Sequence, residues 1–253
     1  KAETALAEQR KNELVMYLAH DIRTPLTSVI GYLSLLHEDP DMPAPQRVKH
    51  VRITLEKAYR LEKMINEFFE ITRYNLQQIK LIKESIDLSY MLIQLSDELS
   101  PVFSQRGLSI KLEIDEDLTV CADADQLARV FSNILKNAAA YSYLNTEIRL
   151  STEQVRGHVF VIFPNKGNTI PAAQLSSLFG KFYRLDESRA SDTGGTGLGL
   201  AIAKEIILLH GGTIHASSEN DTVTFTVQLT AADSENIYPS PSFSQETNNR
   251  KFK

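Results

Sequence analysis

Two long stretches of the chain carry apolar residues at helical spacing. Leu14, Leu18, Ile22, Leu26, Val29, Leu33 and Leu36 recur three and four apart, which predicts one amphipathic helix over residues 5–37, entered from a charged run over residues 1–15. Pro40, Pro43 and Pro45 cannot continue that helix and predict a turn. Val48, Val51, Leu55, Ala58, Leu61, Ile65, Phe68 and Thr72 then mark the stripe of a second helix. A lone helical hairpin leaves one side of its apolar surface wet, so residues 1–80 are expected to pair with a second copy as a dimeric four-helix bundle.

From residue 81 the pattern changes. Residues 108–114, 147–152, 158–163, 213–217 and 222–229 read as strands. Residues 123–140, 172–178 and 198–210 read as helices, the first burying Leu127, Val130, Phe131, Ile134 and Leu135. This predicts an α+β layer over residues 81–230, a mixed sheet with helices on one face. Beyond residue 231, Ser, Pro, Asn and Thr dominate without any period, and residues 231–253 are expected to be a disordered tail.

Composition adds exclusions. The chain has 253 residues, 27 Lys and Arg against 32 Asp and Glu, and a formal charge of −5, which argues against a general nucleic-acid binder. The single cysteine, Cys121, rules out an internal disulfide and, between Val120 and Ala122, reads as a buried thiol. No uninterrupted apolar window reaches membrane-spanning length, so this stretch is expected to be soluble, with any membrane segment upstream of Lys1.

Candidate chemistry begins inside the first helix. His20 lies two residues from both Leu18 and Ile22 and so turns away from the stripe. Asp21 is its neighbour and Thr24 lies one turn on, an arrangement suited to a nucleophile with a base and a hydroxyl nearby. Pro25 predicts a bend there, because its ring crowds the carbonyl of Asp21. The other histidines, His37, His50, His158, His210 and His215, have no such company and are expected on surfaces or strands.

Four stretches of the second half carry polar or glycine residues that a packed fold does not require. Asn133 and Asn137 share a helix face; an amide oxygen suits Mg²⁺, and Lys136 is placed to meet a phosphate. Asn165 and Gly167 follow the strand ending at residue 163, in a loop where an amide can meet a base edge and a glycine permits close approach. Phe179, Gly180, Lys181, Phe182, Tyr183 and Arg184 precede an expected mobile segment, residues 186–193. Gly194, Gly195, Thr196, Gly197, Leu198 and Gly199 open the last helix, where bare amides and the positive end of the dipole suit phosphate oxygens. Neither the dinucleotide fingerprint nor the Gly-x-x-x-x-Gly-Lys-Ser/Thr loop is present.

A histidine helix followed by these four stretches resembles the sensor histidine kinases of two-component systems, and more closely their VanS-type branch of glycopeptide (vancomycin) resistance. The resemblance implies a dimerisation and histidine-phosphotransfer hairpin followed by a Bergerat-type ATP-binding sandwich. It further implies a cytoplasmic portion of a bacterial inner-membrane protein. His20 would attack the γ-phosphoryl of ATP with Asp21 as its base, and Thr24 would position water for dephosphorylating a response regulator. Asn137 would hold Mg²⁺ beside Asn133, Lys136 and Tyr141. Asn165 and Gly167 would meet adenine, and Gly195, Thr196, Gly197, Leu198 and Gly199 the phosphates. Asn165 stands where the family usually has aspartate, Thr169 where it has a second glycine, and Gly180 where glutamate is common. A Bergerat ATPase without histidine kinase activity would need a glutamate on the Asn133 helix, which has none. A nucleotide-binding dimeric scaffold is the remaining alternative.

Overall fold

The computed structural model describes residues 2–75, 80–181, 183 and 196–232, with residues 2–18, 20, 74 and 75 as backbone. The chain opens with α1 (Ala2–Glu38) and α2 (Ala44–Asn75), which pack together as the expected hairpin. Helix α1 runs through the buried Pro25 without a break. At the turn Met42 is buried, and the Pro43 carbonyl accepts from Gln46 and Arg47 to start α2. The stripe divides between two sides. Ile22, Val29 and Leu36 are half-buried, whereas Leu26, Ile30 and Leu33 on α1 and Val48, Val51 and Leu55 on α2 remain exposed.

The second half is a five-stranded mixed sheet with helices on one face. Its strands are β2 (Ser109–Glu113), β4 (Glu147–Val155), β5 (His158–Lys166), β6 (Thr213–Glu219) and β7 (Thr222–Thr230), in the order β2-β4-β5-β7-β6. β2 and β4 are parallel and the rest antiparallel. A small antiparallel pair, β1 (Glu84–Asp87) with β3 (Thr119–Ala122), stands beside it. Alternate residues of β5 and β7 are buried, among them Val161, Phe163, Phe225 and Val227, and α4 (Ala124–Tyr141) and α6 (Gly199–Leu209) cover them, with the short α5 (Ala172–Leu175) between these helices in the chain. Phe131 of α4 packs on Phe163 with ring centroids 6.0 Å apart. Burying each such side chain contributes on the order of 1.5–3 kcal/mol.

Four expectations need correction. The apolar pattern assigns no element between residues 82 and 107, yet β1 and α3 (Leu88–Ser104) lie there. Ser89 and Ser96 occupy buried positions of α3 and Pro101 lies within it, which masks its Leu88, Leu92, Leu99, Phe103 stripe. Cys121 is exposed, because strand alternation buries its neighbours Val120 and Ala122 instead. Strand β5 continues past residue 163, so Asn165 is a strand residue opposite Val223 and not a loop residue. His210 is neither a surface nor a strand histidine but the cap of α6, half-buried. His50 is also half-buried, its ring 5.2 Å from that of Tyr32 across the hairpin.

No helix among the described residues is long and apolar enough to cross a membrane. Gly195, the segment expected to be mobile and the expected tail beyond Ala232 lie outside the described residues. The core extends past the sheet and its helices: Ile71, near the end of α2, is wholly buried with them, and Phe68 packs alongside.

Candidate functional site

Helix α4 is the floor of the site. Asp123 caps it, accepting from the Gln126 amide at 3.2 Å, and its apolar face is committed to the core. That commitment sets Asn133 and Asn137 on another side, toward α6. Asn133 Nδ2 donates to the Gly199 carbonyl at 3.1 Å, tying α4 to the first turn of α6. At the other end of α4, the Arg106 guanidinium donates to the carbonyls of Ala139 (2.8 Å), Ala140 and Ser142 (3.5 Å). Those carbonyls have no helical partner, so Arg106 satisfies what α4 leaves open.

Between α4, β5 and α6 lies a cleft of about 240 Å³ lined by Asn137, Tyr141, Asn165, Gly167, Tyr183 and Leu200, among others. A second compartment of about 160 Å³ adjoins it through Asn137, Tyr141, Tyr183 and Leu200, and adds Asn133, Lys136, Thr196, Gly197 and Gly199. Nine residues singled out from the sequence therefore meet at one opening: Asn133, Lys136, Asn137, Tyr141, Asn165, Gly167, Thr196, Gly197 and Gly199. Leu198 is different. Its side chain is in the core, and its amide donates to Thr196 Oγ1 at 3.3 Å.

Two glycines are required by geometry. Gly197 has φ +75°, a left-handed conformation that other residues adopt only with strain. At Gly167 a Cβ would lie 2.9 Å from the Tyr141 carbonyl oxygen. Thr169, in place of a second glycine, also lines this cleft, and its hydroxyl is engaged with Asp221, donating to Oδ1 at 3.1 Å and accepting from the Asp221 amide at 3.0 Å. Helix α6 starts at Gly199 with no side-chain cap, which leaves amides at its positive end for an anion.

The cleft fits a purine nucleotide on one decisive observation. Asn165 is only 3% exposed; its Nδ2 donates to Ser142 Oγ at 3.2 Å, and its Oδ1 has no partner. A buried acceptor left unmade costs about 1–3 kcal/mol, so this oxygen calls for a donor from a bound molecule, as the amino group of adenine supplies. A divalent cation fits at the other compartment. Among the described residues no three His, Cys, Asp or Glu side chains converge, so Asn137 would hold Mg²⁺ together with phosphate oxygens, as Mg²⁺ sites on nucleotides commonly do.

The sequence reading missed the contribution of α2. Lys63 and Glu67 line the phosphate-side compartment, and Glu67 accepts a hydrogen bond from the Thr196 hydroxyl. One turn on, Glu70 receives both terminal nitrogens of Arg129. Burial lowers the Arg129 pKa, and the charge of Glu67 opposes that effect. Nothing in the spacing of Lys63, Glu67 and Glu70 separates them from ordinary solvated helix positions. His20, Asp21 and Thr24 lie together on α1, with Asp21 half-buried and Thr24 exposed; neither Asp21 nor Thr24 lines the cleft.

Residues 10–77 match the model of the His Kinase A (phospho-acceptor) domain, and residues 122–232 match that of the Histidine kinase-, DNA gyrase B-, and HSP90-like ATPase. The sensor protein VanS of Enterococcus faecium is 61% identical over 226 residues, which are 89% of this chain and 59% of VanS. The chain belongs to the sensor histidine kinases, of the VanS type. The sensor protein VanSC of Enterococcus gallinarum is 48% identical over 88% of this chain and 62% of its own length. This kinase chain thus spans about three-fifths of those relatives. Its fold matches that of the histidine kinase ThkA, crystallised in complex with the response regulator protein TrrA. There the TM-score is 0.71 and the identity 22%, over 91% of this chain and 66% of ThkA.

Proposed function

We propose that this chain binds ATP in the cleft, phosphorylates its own His20 and passes the phosphoryl group to an aspartate of a response regulator. In this reading residues 1–80 form the dimerising phosphotransfer hairpin and residues 81–230 the ATP-binding domain. A neutral His20 nitrogen attacks the γ-phosphorus, the bond to the β,γ-bridging oxygen breaks, and ADP leaves. Asp21 accepts a hydrogen bond from the other ring nitrogen and takes up its proton as charge develops. Asn133 and Lys136 orient the phosphates, with Thr196, Gly197 and Gly199 closing over them, so catalysis is chiefly positioning and charge neutralisation. Mg²⁺, held by Asn137 and the phosphates, would supply further neutralisation of that charge. Thr24 positions a water for the reverse task, dephosphorylation of the regulator. The 61% identity with VanS supports a role in glycopeptide resistance signalling, and the complex of ThkA with TrrA supports a response regulator as partner. The bacterial inner membrane enters only through segments outside this chain.

The unpartnered oxygen of the buried Asn165, in a cleft edged by glycines at a helix start, carries the reading. Incubation with γ-labelled ATP and Mg²⁺ tests it. Label that is acid-labile, base-stable and absent from His20→Gln is expected. Label retained in His20→Gln would overturn the assignment.

A further inference from the structure

We infer that Ser142 sets the purine selectivity of the cleft, by fixing which end of the Asn165 amide meets the base. This deepens the nucleotide-binding reading and rests on it. An asparagine amide has two nearly isosteric ends, and its terminal torsion is soft. Left free, it accepts from a 6-amino purine in one orientation and donates to a 6-oxo purine in the other. A carboxylate has no such choice. A kinase with asparagine at this position needs a second residue to decide.

The hydrogen-bond chain behind Asn165 makes the decision. Ser142 Oγ lies 2.6 Å from the Ala138 carbonyl, and that carbonyl can only accept, so the single hydroxyl proton is committed to it. The Ser142 amide donates to the same carbonyl at 2.9 Å and holds the residue in place. The hydroxyl oxygen is then an acceptor alone, and the amide end facing it, 3.2 Å away, must be the NH₂. Oδ1 is left as the end that meets a ligand. Ser142 and Asn165 are each 3% exposed, which leaves little room for water to supply another proton. The Asn165 backbone is pinned in the sheet between Ile148 and Val223, so the amide torsion is the freedom that remains. Turning the amide over would set its oxygen against the Ser142 oxygen, two acceptors face to face, unless the hydroxyl abandoned Ala138. Ser142 is thus a positioning residue: it acts on the base through Asn165.

ATP and inosine triphosphate separate the possibilities, because the second carries a 6-oxo group and an N1 proton but no additional 2-amino group to confuse size with hydrogen bonding. Displacement of a fluorescent ATP analogue from the 253-residue chain gives both affinities. The wild type is expected to prefer ATP by about tenfold or more, the range set by one buried mismatched group. Ser142→Ala should collapse that ratio to within about threefold. Ser142→Thr, which keeps the hydroxyl, should retain it. In the double variant Ser142→Ala/Asn165→Asp no amide is left to turn, and the preference for ATP should return. A Ser142→Ala protein that keeps the wild-type ratio overturns the inference, as does a Ser142→Thr protein as relaxed as Ser142→Ala. A wild-type protein that binds neither nucleotide overturns the nucleotide-binding reading itself.

Discussion

His210, expected from the sequence on a surface or strand, ties two helices together with a single side chain. Its Nδ1 donates to the Ile206 carbonyl at 2.8 Å, so Nε2 is left as the acceptor for the Asp123 amide at 3.0 Å. The ring must be neutral to do both. Burial lowers its pKa below the usual histidine value, with a smaller contribution of the same sign from Lys83; the Ile206 carbonyl and Asp123 act the other way. A lowered folded-state pKa means that the stabilisation is complete above about pH 6.5, the unfolded value, and is lost as the pH falls below it toward the folded value. The gap in urea midpoint between wild type and His210→Phe is therefore expected to shrink from pH 8 to pH 5. A gap independent of pH would contradict the assigned bonding. Such a role was not legible in the sequence, because Asp123 and His210 are 87 positions apart and become neighbours only through the fold. The Ser142 hydroxyl was invisible for the same reason, whereas Asn133, Asn137 and the glycines stood out by chemistry and spacing.

At the level of elements, period was the readable quantity. The α1 and α2 stripes, the buried side of α4 and the alternation of β5 and β7 were all evident from apolar spacing, because each faces a single core. Helix α3 was hidden by buried serines, and the end of β5 by Pro164, which breaks the apolar run although it pairs with Thr224. The larger omission was functional. Helix α2, read as half of a dimer interface, also places Glu67 at the phosphate-side compartment, where it accepts from Thr196. A carboxylate there repels incoming phosphates and occupies a hydroxyl of the loop that would cradle them. Glu67→Gln should therefore bind ATP about 3- to 10-fold more tightly, an effect that shrinks as salt is raised. Isothermal titration at two salt concentrations checks this, and unchanged or weaker affinity would refute it.

Across the whole molecule, the two halves are joined by more than the linker. Ile71 and Phe68 enter the core, α2 packs against α6, and Glu70 of α2 pairs with Arg129 of α4. The outer apolar face of the hairpin has no counterpart among the described residues: Leu26, Ile30, Leu33, Val48, Val51 and Leu55 are exposed. Pairing with a second copy would cover it, and Leu55→Glu, which places a charge in that seam, should weaken the dimer by about tenfold or more in sedimentation. A variant with wild-type dimerisation would show that the seam lies elsewhere. The central claim concerns both halves at once, that the cleft on α4 exists to serve the imidazole on α1. Mass-spectrometric mapping of phosphate after incubation with ATP and Mg²⁺, in the wild type and in Asn137→Ala, tests it most directly. Phosphate on His20 alone in the wild type, and none in an Asn137→Ala protein with an unaltered urea midpoint, is the expected result; phosphate on another residue, or equal labelling of His20 in both proteins, would contradict it.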